Sequence, residues 1–319
     1  MVTHTLGVAP GGQRRVALKH LGLRRRPRRA VLVAPFPVHR MSARALHASE
    51  LADYAKRYMP LQDELAATVD VANQAAELVL SFFDTDRIDV QAKGIGDVVT
   101  AADTASEALI VSRLKSLFPD DGIVGEEGSN IGGKSGRTWY VDPLDGTLNF
   151  SRSLPLWCVS MALFEDDRPL LAVICDPIRR ETFSAQRGRG SYRNGARITS
   201  SRVENLADSV VHITVDLKDV GQRAGLDDIV SLSPRVLRTR NIGSAALALA
   251  YVAAGRFDAM LHRFAYPWDY AAGVLLVHEA GGVVTDLRGQ AYTPRTHAVC
   301  AAANQPLATG FLTLLSRPE

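Results

Sequence analysis

The sequence predicts a layered α/β fold of the α+β kind, from three observations. Strand-like runs cluster between residues 123 and 192. From residue 210 strands and helices alternate. Several short apolar runs lead straight into acids. At 319 residues, 46% hydrophobic and 22% charged, the chain is long enough for one large domain or two smaller ones of ordinary globular composition.

Residues 1–58 do not read as the start of a domain. They contain the run Leu23-Arg24-Arg25-Arg26-Pro27-Arg28-Arg29 and a short apolar stretch, Ala30–Val38, broken by prolines. The expectation is a basic leader, disordered or arising from a misassigned start at Met41 or Met59, with a targeting peptide as the alternative. Residues 1–40 hold nine Lys and Arg and no acid, so taking these nine from the net +3 leaves −6 on the rest. The body therefore lacks the basic balance of a nucleic-acid binder, and a nucleic-acid partner is not expected. No apolar stretch reaches the roughly 18 residues of a membrane span, so no membrane partner is expected and the location is taken as cytoplasmic. Cys158, Cys175 and Cys300 are too few and too scattered for a disulfide framework or a zinc site.

From residue 59 the pattern is regular. Leu65, Val69, Ala72, Ala76, Val79 and Leu80 fall at helical spacing and predict a helix over 65–83. A second helix is predicted over 104–117, stopped by Pro119 and Gly122. Ile123-Val124 and Thr138–Val141 read as short buried strands. Cys158–Phe164 and Leu170–Asp176 read as a hairpin turned at Asp166-Asp167, extended by 181–186 and 190–192. The second half, 206–319, brings a strand at 210–215 and helices over 244–254 and 270–280, each closed by glycine.

Three segments place carboxylates where a fold usually avoids them: Gly125-Glu126-Glu127-Gly128, Asp142-Pro143-Leu144-Asp145-Gly146-Thr147, and Trp268-Asp269-Tyr270-Ala271-Ala272-Gly273. Taken singly, Glu126-Glu127 reads as a solvated turn, Asp142–Gly146 as a β-turn and Asp269 as a helix cap. Taken together, acids at strand ends and helix starts collect along one edge of an α/β sheet. Such acids repel one another unless a cation sits between them. Oxygen ligands without His or Cys select magnesium or manganese over zinc. Backbone amides of Gly146 and Thr147 at a helix start would suit a phosphate.

These three segments resemble the signature segments of the inositol monophosphatase family. The stretch Asp97-Val-Val-Thr-Ala-Ala-Asp103 is similar to the upstream segment that supplies a further aspartate in that family. The likeness covers roughly residues 65–305. It implies an αβαβα sandwich like that of the inositol monophosphatases and fructose bisphosphatases, with an α+β half over 59–205, a smaller α/β half over 206–319 and the site between them. It also implies Mg2+-dependent hydrolysis of a small phosphorylated metabolite, two or three ions per site, Mn2+ as a substitute, inhibition by Li+, and a homodimer.

Position by position, the resemblance implies one metal held by Glu126, Asp142 and the Leu144 carbonyl, and a second among Asp142, Asp145 and Asp269. A third, weaker ion would lean on Glu126. The attacking water would be oriented by Glu126 and Thr147, with Asp103 hydrogen-bonded to Thr147. Gly243, Ser244 and Ala245 would contact substrate hydroxyls, with an N-cap at Ser244 as the plain alternative. Asp216 would add a polar contact, and Lys93 would sit on a loop near the site, where it could equally be a solvated lysine.

One departure bears on the substrate. Inositol-preferring members carry Glu seven residues before the aspartate of the third segment, and here that residue is His262, which offers at most one acceptor. The Gly146-Thr147-Leu148-Asn149-Phe150 stretch nevertheless resembles inositol-type members more than the branch acting on phosphoadenosine phosphate. Inositol monophosphate, histidinol phosphate and fructose bisphosphate are the expected substrates, in that order. A non-catalytic role in RNA or protein contacts is the reading from a different class.

Overall fold

The computed structural model describes residues 61–84, 90–94, 97–214, 222–264 and 266–315. The leader over 1–58 and Asp216 lie outside them.

Side-chain alternation along the strands sorts the layers. In the Cys158–Glu165 strand, Val159, Met161 and Leu163 face one apolar cluster, while Cys158, Ala162 and Phe164 face another. This period-2 split is what a strand buried on both faces produces. The first cluster is closed by Val71, Ala72, Ala75, Ile110 and Leu114 from the helices Leu61–Leu80 and Ala101–Leu117. The second is closed by the helices Ala245–Ala253 and Pro267–Glu279.

The alternation repeats deeper in the chain. Met260, Val299 and Ala301 face those same two helices from the other side, whereas Ala259, Leu261, Cys300 and Ala302 face Leu307, Ala308 and Phe311 of the helix Gln305–Leu315. The order of layers is therefore helix, sheet, helix, sheet, helix: the αβαβα sandwich that the resemblance implied.

The larger sheet has eight strands and the smaller five among the described residues. In the larger, Gly122–Gly125 runs parallel to Arg137–Asp145, and both end at acids on the same edge. The remaining pairs are antiparallel and form the expected meander.

Boundaries differ from expectation for identifiable reasons. The second helix starts at Ala101, because Thr100 caps it and Asp103 bonds back to the Thr100 amide. The Arg137–Asp145 strand continues through Asp142 and Pro143, with an irregularity in register between Asp142 and Asp145 that takes up the proline. Lys93 is not on a loop: it lies in the strand Val90–Gly94, at the break in register between Ala92 and Gly94.

The two inner helices pack closely. A Cβ added at Gly273 would come 2.3 Å from Leu249 Cβ, so only glycine lets the helices approach this far. That contact brings the start of the Ala245 helix and the start of the Pro267 helix to the same end of the molecule as the acid-bearing strand ends.

Candidate active site

The helix Ala101–Leu117 organises the acids. Residues 103, 106, 107, 110 and 114 share its buried face, and the first three are polar. Each polar residue holds one loop. Asp103 Oδ1 accepts from Thr147 Oγ1 at 2.9 Å, and Asp103 Oδ2 accepts from the Thr100 amide at 2.8 Å and hydroxyl at 2.5 Å. Ser106 Oγ donates to the Pro143 carbonyl at 3.0 Å. Glu107 accepts from the Glu127 amide at 2.8 Å and the Ser129 amide at 3.0 Å, which shapes the turn carrying Glu126. Burial raises the Asp103 carboxyl above its ordinary range, even though the Thr100 and Thr147 bonds favour its anion.

Asp142 sits at the centre of the acids and is buried. Its Oδ1 accepts from the Leu144 amide at 3.0 Å, fixing the bend of the chain between the two aspartates. Its carboxyl is held well above the usual range, first by burial, then by the charges of Glu126, Asp145 and Asp269, and by a hydrogen bond with Glu126. Three carboxyls are thus close enough to oppose the ionisation of Asp142.

Asp145 is held differently. Its Oδ2 accepts from Ser244 Oγ at 2.5 Å and the Ala246 amide at 2.7 Å, and its Oδ1 from the Ala245 amide at 3.1 Å. It thereby caps a helix about a hundred residues away, and the helix start favours its negative charge. Burial still raises its carboxyl overall. Ser244 is also the N-cap of that helix, as the plain alternative for it foresaw.

Asp269 is half-buried in the first turn of the Pro267–Glu279 helix and accepts from the Tyr266 amide at 2.7 Å. Gly146 has φ 98°, and a Cβ there would lie 2.8 Å from the Leu156 carbonyl oxygen, so the tight path into Thr147 requires glycine. Thr147 Oγ1 has one proton and two acceptors in reach, Asp103 Oδ1 and the Leu144 carbonyl at 3.0 Å.

The residues fit a hard divalent cation by their chemistry. The acids whose charges bear on Asp142 are the oxygen donors Glu126, Asp145 and Asp269, with no cationic side chain among them, and the one sulfur nearby, the buried Cys158 thiol, donates to Asp145 Oδ2 at 3.7 Å. Among the described residues, no three of these side chains close into a finished ligand cage. The hydrogen bonds account for that: Asp145 is turned onto the Ala245 helix and Asp269 onto the Tyr266 amide, so their oxygens are engaged elsewhere.

A family model described as the inositol monophosphatase family matches residues 61–317. The chain belongs to this family. Nus factor SuhB of Escherichia coli K12 is 39% identical over 228 residues, 70% of this chain and 85% of that protein. Inositol monophosphatase 2 of Solanum lycopersicum is 36% identical over 269 residues, 81% of this chain and the whole of that protein. Among solved structures, extragenic suppressor protein suhB from Bartonella henselae superimposes with a TM-score of 0.77 at 33% identity, covering 81% of this chain and 100% of that one. The Thermotoga maritima IMPase gives 0.72 at 33% identity, covering 79% and 96%.

The fold brings the charges of Glu126, Asp145 and Asp269 to bear on Asp142, and joins Thr147 to Asp103. Ser244 and Ala245 meet this group through Asp145, and Gly243 through Asn149 Nδ2, whose nearest bonds are to the carbonyls of Leu156 and Ile242 at 2.7 Å each. His262 is a buried residue at the end of the strand Ala259–His262, its ring edge-on to Tyr270 with centroids 5.8 Å apart. Burial pushes the His262 imidazole down to about 4, so it stands neutral at pH 7, and neither ring nitrogen has a partner among the described residues. The Lys93 side chain lies outside the described residues.

Sequence reasoning missed Glu107 and Asn149 as supports of the site. For Glu107 a signal existed: it lies one helical turn after Asp103 and so on the same face. Asn149 carried none, because its partners at 242 and 243 are distant in sequence.

Proposed function

We propose that this chain is a metal-dependent phosphoric monoester hydrolase acting on a small phosphorylated metabolite. The observation that carries this reading is the convergence of the Glu126, Asp145 and Asp269 carboxyls on the buried Asp142, beside the Thr147–Asp103 hydrogen bond. A helix cap or a solvated turn would need neither. In the proposed working state Glu126, Asp142 and the Leu144 carbonyl would hold one Mg2+, and Asp142, Asp145 and Asp269 would hold a second, with a weaker third leaning on Glu126. Bound there, such ions would polarise phosphate oxygens and lower the pKa of a water.

The protein's own groups do the rest. Thr147 Oγ, with Asp103 as the acceptor of its proton, presents a lone pair to the attacking water. Glu126 shares the work of orienting that water. The Gly146 and Thr147 amides face the phosphate. Asp145 occupies the Ser244 hydroxyl and the 245 and 246 amides, which are the groups proposed to meet substrate hydroxyls, so a ligand there shares or displaces those bonds. The halves 59–205 and 206–319 would meet at this site. Mn2+ as a substitute, Li+ as inhibitor, a homodimer and a cytoplasmic location belong to the same proposal.

Inositol monophosphate is the proposed substrate, with histidinol phosphate and fructose bisphosphate behind it. His262→Glu should shift selectivity toward inositol monophosphate several-fold in kcat/KM. An unchanged profile across the three esters would remove His262 from the specificity argument.

A second reading has its own observation. Relatives from Escherichia coli, Salmonella typhimurium and Pseudomonas aeruginosa carry the name Nus factor SuhB, at 38–39% identity against 36% for the tomato phosphatase. The relatives' names thus weigh toward an interaction role more than toward inositol specificity, while the geometry weighs toward catalysis. Phosphate release by residues 41–319 from a panel of monoesters, with Mg2+ and with chelator, tests the first. Chelator-sensitive turnover of one favoured ester supports it. A folded, Mg2+-binding protein that releases no phosphate, yet is active in a Nus-factor assay, would transfer the conclusion to the second.

A further inference from the structure

The two aspartates of the Asp142–Asp145 segment stand opposite two small polar residues of the neighbouring strand. The register pairs Asp142 with Ser160 and Asp145 with Cys158, and the irregularity between the aspartates lets a spacing of three residues face a spacing of two. Directly opposed residues of an antiparallel pair point to the same face, with Cβ atoms about 4.5–5.5 Å apart. That face also carries Cys158, Ala162 and Phe164, and it is turned toward the helices Ala245–Ala253 and Pro267–Glu279. Ser160 and Asp142 therefore lie side by side in the interior, each only 1% exposed.

The two donors differ in what they do. The Cys158 thiol donates to Asp145 Oδ2 at 3.7 Å. The Ser160 hydroxyl has no hydrogen-bond partner among the described residues. Ile174, its register partner on the other side, and Ala162, two residues further along the strand, are apolar and offer it none. Alanine would fill the position without stranding a buried hydroxyl, so the unspent O–H needs an explanation. Asp142 supplies one. In this structure its carboxyl is turned onto the Leu144 amide at 3.0 Å and onto a hydrogen bond with Glu126. Glu126 is itself a proposed ligand, so that bond gives way when both side chains turn to the same ion. A carboxylate that ligates a metal is in turn held by hydrogen bonds to its remaining lone pairs.

We infer that Ser160 is a positioning residue for Asp142: with a cation bound, the Ser160 hydroxyl donates to the Asp142 carboxylate and fixes the orientation in which Asp142 ligates. It is the counterpart of the bond that Cys158 already makes to Asp145. The inference rests on the metal-dependent reading above and adds to it a donor outside the ligand set. Ser160 acts through Asp142 alone, and the strand that carries it is buried on both faces, so its place is set by the sheet and not by a loop.

The test is calorimetric titration of Mg2+ alone into the full chain, for the wild type, Ser160→Ala and Ser160→Cys, with the Tm of each measured without Mg2+. Ser160→Ala removes the hydroxyl, and Ser160→Cys keeps a weaker donor in its place. The expected result is a Kd for Mg2+ about tenfold higher in Ser160→Ala, with a smaller rise in Ser160→Cys. The metal-free Tm of Ser160→Ala should be unchanged or higher, because a stranded hydroxyl has been removed. Wild-type affinity in Ser160→Ala overturns the role of Ser160 and leaves the metal-dependent reading standing. A loss of affinity that comes with a fall in metal-free Tm, both shared in full by Ser160→Cys, also overturns it and marks Ser160 as a packing residue. A wild-type chain that binds no Mg2+ overturns both.

Discussion

Two helices of this protein begin with the same local device and use it to opposite ends. Asp103 and Asp269 each stand at the third position of a helix and accept a hydrogen bond from the backbone amide three residues earlier, at 2.8 Å from Thr100 and 2.7 Å from Tyr266. Around Asp103 everything is polar and enclosed: the Thr100 and Thr147 hydroxyls meet the carboxylate, and Ser106 and Glu107 follow on the same face to hold two further loops. Around Asp269 the neighbours are aromatic and open, with Tyr266 and Phe264 exposed and the residues from Tyr270 to Val277 buried in the core. The cap is a short-range solution to unsatisfied amides at a helix start. What it does beyond that is decided by what the rest of the chain packs beside it. One helix end builds scaffold, while the other opens onto exposed aromatic rings.

The contrast can be broken most directly by removing charge at each centre. Asp142→Asn and Asp269→Asn should each lower kcat by at least about 10²-fold and raise the Mg2+ concentration needed for half-activity, since both weaken the carboxylate set. Near-normal turnover of either at ordinary Mg2+ would sink the metal assignment. On the scaffold side, Thr147→Ala should lower kcat by about 10²-fold with Mg2+ affinity little changed, by calorimetric titration of the metal. A pure affinity defect would place Thr147 with Asp269 and not with Asp103.

Smaller effects sharpen the same comparison. Glu107→Ala strips partners from the Glu127 and Ser129 amides and should cost about 1–3 kcal/mol in denaturant unfolding. It should also weaken Mg2+ binding through the displaced Glu126 turn. Stability unchanged within error would show that water replaces Glu107 at no cost.

The smallest expected effect is in the pH dependence of melting. Asp103, Asp142 and Asp145 have folded pKa values raised above their unfolded ones, so their contribution is full below about pH 4 and is lost as pH rises through the folded values. His212 and His262 are pushed down to about 3 and about 4, so theirs is full above about pH 6.5 and is lost as pH falls toward those values. Magnesium relieves only the carboxylates. The rise in Tm on adding Mg2+ should therefore be larger at pH 7.5 than at pH 5, and a pH-independent rise would contradict mutual repulsion at Asp142.

Much of the site was legible in residue order. The acid segments, the glycine at 146 and the helix starts are short-range patterns, and short-range rules govern turns and caps. The grouping of strands before residue 192 and the alternation of strands with helices from residue 210 were enough to propose layers, because each sheet and helix must bury its apolar side against another layer. The ends of elements were less legible. The Ala101 helix begins three residues earlier than its apolar spacing suggested, since its first turn is polar and is held by Thr100 and Asp103.

By itself, then, the sequence marked the acid segments and most of the helix and strand runs, and its resemblance to the inositol monophosphatases implied the layered sandwich. Tertiary structure decided what those residues do with their bonds. Asp145 reaches the Ala245 helix about a hundred positions later, Asn149 ties its loop to Ile242, and Glu107 supports the turn of Glu126. It also decided that His262 is enclosed and neutral, and that Phe264 and Tyr266 are open. The reason is physical: periodicity and turn chemistry act over a few residues, whereas burial and long-range hydrogen bonds depend on which distant segments the packed sheets bring together.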